Sequence, residues 1–244
     1  MELKLDRFNG VLIDPDSIPD EKEVFLAELA EVLDFVHKAD KKIIWLTLPI
    51  FKSHLISIAT ESGFVFHNCL ENELTLIRKP ACSGFVPFAP THTIGAGAFI
   101  LNDKDEILAV KEKGNNYFKL PGGHTELGES IEKAVVREVF EETGIESTFE
   151  SIIAIATKHP YQFGKSNVYF VCRMKALNEN ICIHDSCEIE EALWILRKDF
   201  IADERNSIFN RQMVELLSEK KGLSLVNLDG NFGPFKKQEI FFAS

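Results

Sequence analysis

The sequence predicts an α+β fold divided into two domains of unequal size. A length of 244 residues is more than one small hydrophobic core requires. Helical and strand-like hydrophobic periods alternate along the chain. A stretch that contains three prolines and one glycine separates the two halves. We predict an N-terminal α+β domain over 1–79, a linker over 80–91, a larger second domain over 92–222 and a C-terminal tail over 223–244.

The first domain begins with an amphipathic helix. Residues 22–39 carry apolar side chains at helical spacing, at Phe25, Leu29, Val32, Leu33 and Val36. The segment Lys42–Leu48 predicts a strand, and Pro49 stops it. Residues 51–62 predict a second helix that ends at Gly63. Two more strands are predicted over Phe64–Asn68 and Glu73–Arg78.

The second domain is predicted to begin with a hairpin around residues 102–105, followed by a helix that ends at a glycine. The hairpin strands are Thr93–Leu101 and Ile107–Lys111, and Phe118–Leu120 is a further strand candidate. The helix runs from about Glu129 to Thr143 and ends before Gly144. The later elements are strands over 148–157, 167–176, 181–184 and 189–195, and helices near 197–203 and 206–220.

The composition indicates a soluble acidic protein. A hydrophobic content of 45% with 27% charged residues is ordinary for a globular chain. The formal net charge of −11 disfavours a nucleic-acid partner, because such proteins present a basic face. No apolar run of about 18 residues is present, so we expect no membrane span. The five cysteines lack C-x-x-C spacing and the first residues lack a secretory layout, which favours a cytoplasmic location.

Three glutamates share one face of the helix predicted before Gly144. Glu138, Glu141 and Glu142 stand at i, i+3 and i+4. Like charges at that spacing destabilise a helix by a few tenths of a kcal/mol per pair, and the helix dipole disfavours them at its C-terminal end. A hard cation reverses this balance, because it needs converging oxygen ligands. The three glutamates therefore predict a site for Mg²⁺ or Mn²⁺. Taken without their neighbours, three acids at this spacing would more often be a solvated acidic face of a helix.

The spacing around these glutamates is far more specific than the three acids alone. It reads G-x₅-E-x₇-R-E-U-x-E-E-x-G-U from Gly123 to Ile145, where U is aliphatic. Seven fixed positions would recur by chance in roughly one in a million such chains. Through this box the chain resembles the Nudix hydrolase family over roughly residues 90–205. The lead-in Leu120-Pro121-Gly122-Gly123 and the later Glu188-Ile189-x-x-Ala192-x-Trp194 are similar to that family as well.

The resemblance implies an α/β/α sandwich around a mixed sheet, with metals on the loop–helix–loop of the box. It implies that Glu138, Glu141 and Glu142 bind the cations together with the carbonyl of Gly123. Catalytic roles would fall to Glu138 and Glu141, beside Arg137, which can pair with Glu129. Such an enzyme cleaves a phosphoanhydride bond in a nucleoside diphosphate linked to another group.

Two roles stay open at this level. The carboxylate that activates the attacking water varies within the family, and the candidates on a later loop are Asp185, Glu188, Glu190 and Glu191. A basic pocket for the substrate phosphates would help an acidic protein, and its candidates are Lys158, Lys165 and Arg173. Each of these residues alone is more often a solvated surface charge. The segment His159-Pro160-Tyr161 is a further candidate for stacking on a base.

Two less specific stretches narrow the resemblance to one branch. Leu5–Val11 and Phe163–Cys172 are similar to the branch of animal antisense-fibroblast-growth-factor Nudix proteins and plant ADP-ribose/NADH pyrophosphatases. That branch carries an additional N-terminal domain and implies ADP-ribose or NADH as substrate, with AMP as one product. Asn9 departs from the branch, which usually has glycine there, so we expect a different turn at this position.

Other functions remain open on sequence alone. The box does not separate ADP-ribose or NADH from a nucleoside triphosphate or a dinucleoside polyphosphate, because it handles only the diphosphate. A sensor that binds ADP-ribose without cutting it often lacks box glutamates, and this chain has them all. The N-terminal domain has an order of elements reminiscent of acetyltransferases, without an evident acyl-CoA loop. We expect that domain to serve as a scaffold that forms a homodimer.

Overall fold

The chain forms two structural units, Met1–Thr91 and His92–Ser244. The computed structural model describes residues 1–7, 9–79, 86–219, 221–227 and 238–243. Within the predicted linker, residues 86–91 have no regular secondary structure, as their proline content predicts, and residues 80–85 lie outside the described part. Among the described residues, no helix combines the length and the apolar content that a membrane crossing needs.

The first unit is a five-stranded sheet with two helices. In chain order its elements are β1 (Leu3–Leu5), β2 (Gly10–Ile13), α1 (Lys22–Lys38), β3 (Ile43–Pro49), α2 (Ile56–Glu61), β4 (Val65–Cys69) and β5 (Glu73–Arg78). The strand order is β1-β2-β3-β5-β4, with only β2 and β3 parallel. The sheet is therefore mixed, and its buried aliphatic side chains pack with those of α1 in one core.

Helix α1 is confirmed, whereas the second helix differs from its prediction. The apolar period of α1 buries Phe25, Leu29, Val32 and Val36. The predicted helix over 51–62 is instead a 3₁₀ segment, Ile50–Leu55, followed by the short α2. The backbone departs from helical geometry at Lys52, whose buried ammonium group donates to the carbonyl of Ile18. This contact with a distant residue competes with a continuous helix.

The second unit contains a six-stranded and a two-stranded sheet. In chain order its elements are β6 (His92–Phe99), β7 (Glu106–Glu112), β8 (Gly122–His124), α3 (Ile131–Thr143), β9 (Ser147–Lys158), β10 (Ser166–Ala176), β11 (Ile189–Leu196), α4 (Arg197–Ala202), α5 (Ile208–Leu217), β12 (Leu223–Leu225) and β13 (Phe241–Ala243). The larger sheet has the order β13-β12-β9-β10-β6-β8, and β7 pairs with β11.

Helices cover both faces of the six-stranded sheet. Ala98 of β6 packs in the core beside Val139 of α3, while its neighbour Phe99 packs with Phe200 of α4 and Met213 of α5. Successive side chains of a strand point to opposite faces, so the two helical layers lie on opposite sides. The parallel pairing of β6 with β10 and the antiparallel pairing of β9 with β10 make the sheet mixed. The implied α/β/α sandwich is confirmed.

The prediction that β6 and β7 form a hairpin is wrong: the turn between them is present, but the two strands do not pair. The side chain of Asn102 accepts hydrogen bonds from the N–H groups of Lys104 and Glu106, which closes the turn, and one bridge joins Leu101 to Ile107. Both edges of β6 are then occupied by β10 and β8, so β7 pairs with β11. The candidate strand over 118–120 likewise amounts to a single bridge, and the regular strand is β8.

The segment predicted as a strand over 181–184 is also irregular. The N–H of Cys182 donates to the carbonyl of Thr143 at 2.8 Å, and that of His184 donates to Glu141 at 3.0 Å. These bonds satisfy carbonyls at the C-terminal end of α3, which have no partner within the helix. The segment therefore caps a helix and does not extend a sheet.

Candidate active site

Helix α3 is set in place by its two ends and its apolar face. Ser130 is the N-cap, and its hydroxyl accepts the N–H of Lys133. Gly144 ends the helix in the left-handed conformation, at φ 72°. Val135 and Val139 are fully buried in the core against the sheet. The helix therefore has one fixed orientation, with its glutamates directed along β8 and the loops beside it.

Arg137 ties three glutamates together. Its Nε and Nη2 atoms each donate to a different oxygen of Glu129 at 2.9 Å. Its Nη1 atom donates to Glu138 and to Glu141, both at 3.0 Å. The hydrogen bonds to Glu129, then those to Glu141 and Glu138, raise the pKa of Arg137, and the same pair lowers the pKa of Glu129. The predicted pair of Arg137 with Glu129 is present, and it is charge-assisted at both oxygens.

Glu142 is a buried carboxyl beneath β8. It is 3% exposed, accepts the N–H of Gly122 at 2.8 Å and has the ammonium group of Lys119 at 3.7 Å. Burial raises its pKa to about 8, against the opposing effect of Lys119. Lys119 was not among the residues that the sequence singled out, although it directly precedes the Leu120-Pro121-Gly122-Gly123 lead-in. A charge this deeply buried needs a partner that compensates its lost hydration.

Glu138 lies one turn before Glu142 and against the backbone of Gly123. A methyl group at Gly123 would approach both carboxylate oxygens of Glu138 to 2.7 Å, so a larger residue there would displace this carboxylate. Burial raises the pKa of Glu138, and the charges of Glu141 and Glu188 add to this effect against Arg137. The site therefore holds two carboxyl groups, on Glu138 and Glu142, whose ionisation the surroundings disfavour.

Glu138, Glu141 and Glu142, the three glutamates predicted to bind the cation, are not equivalent. The side chain of Glu141 is 46% exposed, while those of Glu138 and Glu142 are 14% and 4% exposed. In the part of the chain that the structure describes, no three His, Cys, Asp or Glu side chains are gathered as a ready metal site. The donor set nevertheless fits a hard cation, because Glu138 and Glu141 already share one positive atom of Arg137.

The later loop brings one of the four candidate acids to the box. Its C-terminal part, residues 185–188, lies against the end of α3, where the N–H of Asp185 donates to the carbonyl of Glu141 at 2.8 Å. The carboxylate of Asp185 accepts the N–H groups of Cys187 and Glu188, so it shapes the turn. The charge of Glu188 contributes to the raised pKa of both Glu138 and Glu142.

The other two acids of that loop belong to a separate ion-pair group. Lys111 of β7 has the carboxylates of Glu190 and Glu191 at 3.4 and 2.9 Å. Because these pairs occupy the two acids on neighbouring β11, Asp185 and Glu188 are the later acids that remain beside the end of α3.

The three basic residues predicted for substrate binding lie in different surroundings. Arg173 donates to the carbonyls of Leu217 and Ser218 at 2.6 and 3.0 Å and lies over the ring of Phe99. It thus holds the C-terminal end of α5, which is a structural role. Lys158 and Lys165 are exposed on the strand ends and loop after the box. Only Lys158 contacts an aromatic residue there, with its ammonium group 5.7 Å from the ring centre of Tyr161.

The loop between β9 and β10 adjoins the box strand through aromatic rings. The rings of Tyr161 and of His124, the last residue of β8, have centres 5.9 Å apart. Phe163 is 98% exposed and is held at φ 53°, in the left-handed region. An exposed aromatic residue in a strained turn beside a polar site is a feature that favours a role in binding.

The second unit is a sandwich around a mixed sheet, and its box glutamates lie on the helix of a loop–helix–loop. This combination is typical of a domain that hydrolyses phosphoanhydride bonds. A family model described as "NUDIX domain" matches residues 91–217, and a model described as "Nudix hydrolase domain" matches residues 1–79. The chain belongs to the Nudix hydrolase family, as the box indicated. The N-terminal match also agrees with the branch that carries an additional domain.

Three relatives illustrate that branch. "Nucleoside diphosphate-linked moiety X motif 6" of Xenopus laevis is 36% identical over 79% of this chain and 92% of its own length. "Nudix hydrolase 2" of Arabidopsis thaliana is 33% identical over 88% of this chain and 80% of its own length. "Nudix hydrolase 8" of the same plant is 32% identical over 80% of this chain. The chain spans only 55% of the length of that last relative.

Proposed function

We propose that this Nudix hydrolase cleaves the phosphoanhydride bond of ADP-ribose or NADH, releasing AMP and a second phosphorylated product. The observation that carries the proposal is the pair of buried carboxyl groups on Glu138 and Glu142, packed against Gly122 and Gly123 and neutralised only in part by Arg137 and Lys119. A substrate that is itself anionic needs added positive charge at such a site.

The residues that would hold Mg²⁺ or Mn²⁺ are Glu138, Glu141 and Glu142, with the carbonyl oxygen of Gly123. When bound, the cation would neutralise phosphate charge and lower the pKa of a coordinated water. Arg137 would keep Glu138 and Glu141 oriented through its shared Nη1 atom, with Glu129 as its anchor. These assignments follow from the donor set and from the box spacing.

We assign proton acceptance from the attacking water to Glu188. Of the four acids of the later loop, it is the one whose charge acts on both Glu138 and Glu142. Asp185 is engaged with backbone N–H groups, and the other two pair with Lys111. A base must lie within hydrogen-bond reach of the water that attacks phosphorus, and the effect of the Glu188 charge on both box glutamates supports this choice.

The cytoplasmic location and the homodimer remain predictions. In the described part of the chain, Cys69, Cys172, Cys182 and Cys187 are free thiols, which supports a reducing compartment. Several large apolar side chains of the first unit are exposed, including Phe51 and Phe66 at 71% and 65%, which supports a contact surface on that unit.

The hydrolase proposal is tested by a product-resolved assay with the purified chain. We expect Mg²⁺ or Mn²⁺ to support release of AMP from ADP-ribose or NADH, and EDTA to remove the activity. FAD, CoA, diadenosine polyphosphates and deoxynucleoside triphosphates serve as competing substrates in the same screen. Faster turnover of a triphosphate or dinucleoside polyphosphate would replace the proposed substrate. Tight binding of ADP-ribose without products would instead identify a sensor.

The loop between β9 and β10 gives a substrate-binding prediction. Tyr161→Ala removes the ring that adjoins both His124 and Lys158. If that ring stacks on a base, the KM for ADP-ribose should rise about tenfold with little change in kcat, since stacking contributes about 1–3 kcal/mol per base. Phe209→Ala, at an exposed position of α5, serves as the matched control. An unchanged KM in Tyr161→Ala would show that the ring has only a packing role.

A further inference from the structure

The C-terminal tail reaches the first turn of α3 through one carboxylate. Glu239 accepts the N–H of Ile131 at 2.7 Å with one oxygen and the N–H of Glu132 at 3.0 Å with the other. The contact joins residues 108 and 107 positions apart in sequence. Local spacing gives no indication of it.

The tail is fixed on both sides of this contact. Strand β12 pairs with β13, and β12 also bridges to β9 at Leu223 and Ile152. The N–H of Val226 donates to the carbonyl of Ile240, the residue after Glu239, at 2.8 Å. The ring of Phe241 packs 5.8 Å from that of Phe149. Glu239 is therefore held by a small sheet and is not a freely moving end.

Glu239 extends the capping of the helix that carries the box glutamates. The first four N–H groups of an α-helix lack partners within the helix. The hydroxyl of Ser130 accepts one of them, from Lys133. Glu239 accepts two more, from Ile131 and Glu132. A negative charge at this end also interacts favourably with the helix dipole.

The position of this cap matters for the site because α3 is one rigid element. The helix begins beside Glu129, the anchor of Arg137, and its next turns carry Arg137, Glu138, Glu141 and Glu142. A shift or fraying of the first turn would move Arg137 relative to Glu129. Both carboxylates bonded to the Nη1 atom of Arg137 would then lose their common donor.

We propose that Glu239 is a positioning residue of the active site: the tail carboxylate holds the first turn of α3 and thereby the register of Glu138 and Glu141. The expected change in kcat rests on the proposed function. The expected change in the cation affinity of the box does not, because it can be measured without any substrate.

The experiment compares full-length Glu239→Ala and Glu239→Gln with the wild-type chain. Binding of Mn²⁺ is measured from the electron paramagnetic resonance signal of free Mn²⁺, and amide hydrogen exchange is followed at Ile131 and Glu132. We expect Glu239→Ala to exchange faster at both amides, and to weaken Mn²⁺ binding and lower kcat about threefold to tenfold, which is less than the roughly 10–100-fold loss for residues bonded directly to metal ligands. KM should change little, since no substrate contact is removed. Glu239→Gln keeps one acceptor oxygen, so its Mn²⁺ affinity, kcat and amide exchange rates should lie between those of Glu239→Ala and those of the wild type.

Glu215→Gln, an exposed position on α5, is the matched control for charge removal and should behave as the wild type. A folded Glu239→Ala with wild-type Mn²⁺ affinity and kcat, even with a lower melting temperature, would overturn the proposal. Should Glu239→Ala fail to fold, Glu239→Gln carries the same comparison. If the wild-type chain binds Mn²⁺ but cleaves no nucleotide, the proposed function fails, while the Mn²⁺ comparison still tests the role of Glu239.

Discussion

Replacing Glu142 with glutamine should lower turnover by about 10²–10³-fold, the size of loss expected when one electrostatic contact to the reacting group is removed. The side chain is 4% exposed and lies between Gly122 and Lys119. Glutamine keeps the shape and the acceptor for the Gly122 N–H, but it is a much weaker ligand for a hard cation. The measurement is kcat on ADP-ribose at saturating Mg²⁺, with Glu146→Gln, an exposed acid just after α3, as control.

The same variant should fold as well as the wild type, for a reason that the helix charges alone do not give. Burial raises the pKa of Glu142 to about 8, so the metal-free folded chain favours the protonated carboxyl. Protonation of Glu142 therefore stabilises the folded chain. This contribution is fully present below the pKa of the carboxyl in the unfolded chain and is lost as pH rises through its pKa in the folded chain. In EDTA, Glu142→Gln should therefore gain melting temperature relative to the wild type between about pH 4.5 and pH 8. Wild-type kcat in this variant would refute the ligand assignment.

Gly122→Ala should unfold the second unit more readily than any exposed substitution near the box. Gly122 has φ 144°, and a methyl group there would lie 2.3 Å from the carbonyl oxygen of Ala96 and 2.5 Å from the Cα of Gly97. These are backbone atoms of the neighbouring strand, so no side-chain rotation relieves the clash. We expect a loss of at least about 3 kcal/mol in the free energy of unfolding.

Gly128→Ala is the matched control in the same box. Its φ is 77°, also in the left-handed region, but nothing lies within 4 Å of an added methyl group. Backbone strain alone should cost about 1 kcal/mol. Urea denaturation followed by circular dichroism separates the two variants. Equal losses would show that the close approach of β8 to β6 does not constrain Gly122.

The sequence predicted those features of the site that are local to one element. Glu138, Glu141 and Glu142 stand within five residues of one another, and helical geometry alone places them on neighbouring turns. The glycine that ends the helix is likewise read from adjacent residues, whereas the start was predicted at about Glu129 and lies at Ile131, after the N-cap Ser130. The pair of Arg137 with Glu129 followed from the box spacing.

Features that join distant parts of the chain were not predictable in this way. The turn at Asn102 suggested a hairpin, yet β6 pairs with β10 in parallel, more than seventy residues away. Strand partners depend on which edges remain free in the assembled sheet, and a local hydrophobic pattern contains no information on that. Arg173 was predicted as a candidate for the substrate phosphates, and its contacts with the carbonyls of Leu217 and Ser218 could not be read from its place in the sequence.

The amino-acid sequence by itself determined that this chain is a Nudix hydrolase, because the box combines residue types and spacings that chance and helix physics both disfavour. Tertiary structure alone decided how the glutamates differ. Glu138 and Glu142 are buried and Glu141 is partly exposed, because the helix presses one side against the glycines of β8. Tertiary structure also brought Glu188 and Glu239 to the helix, because loops and tails satisfy the hydrogen-bonding groups that helix ends leave open.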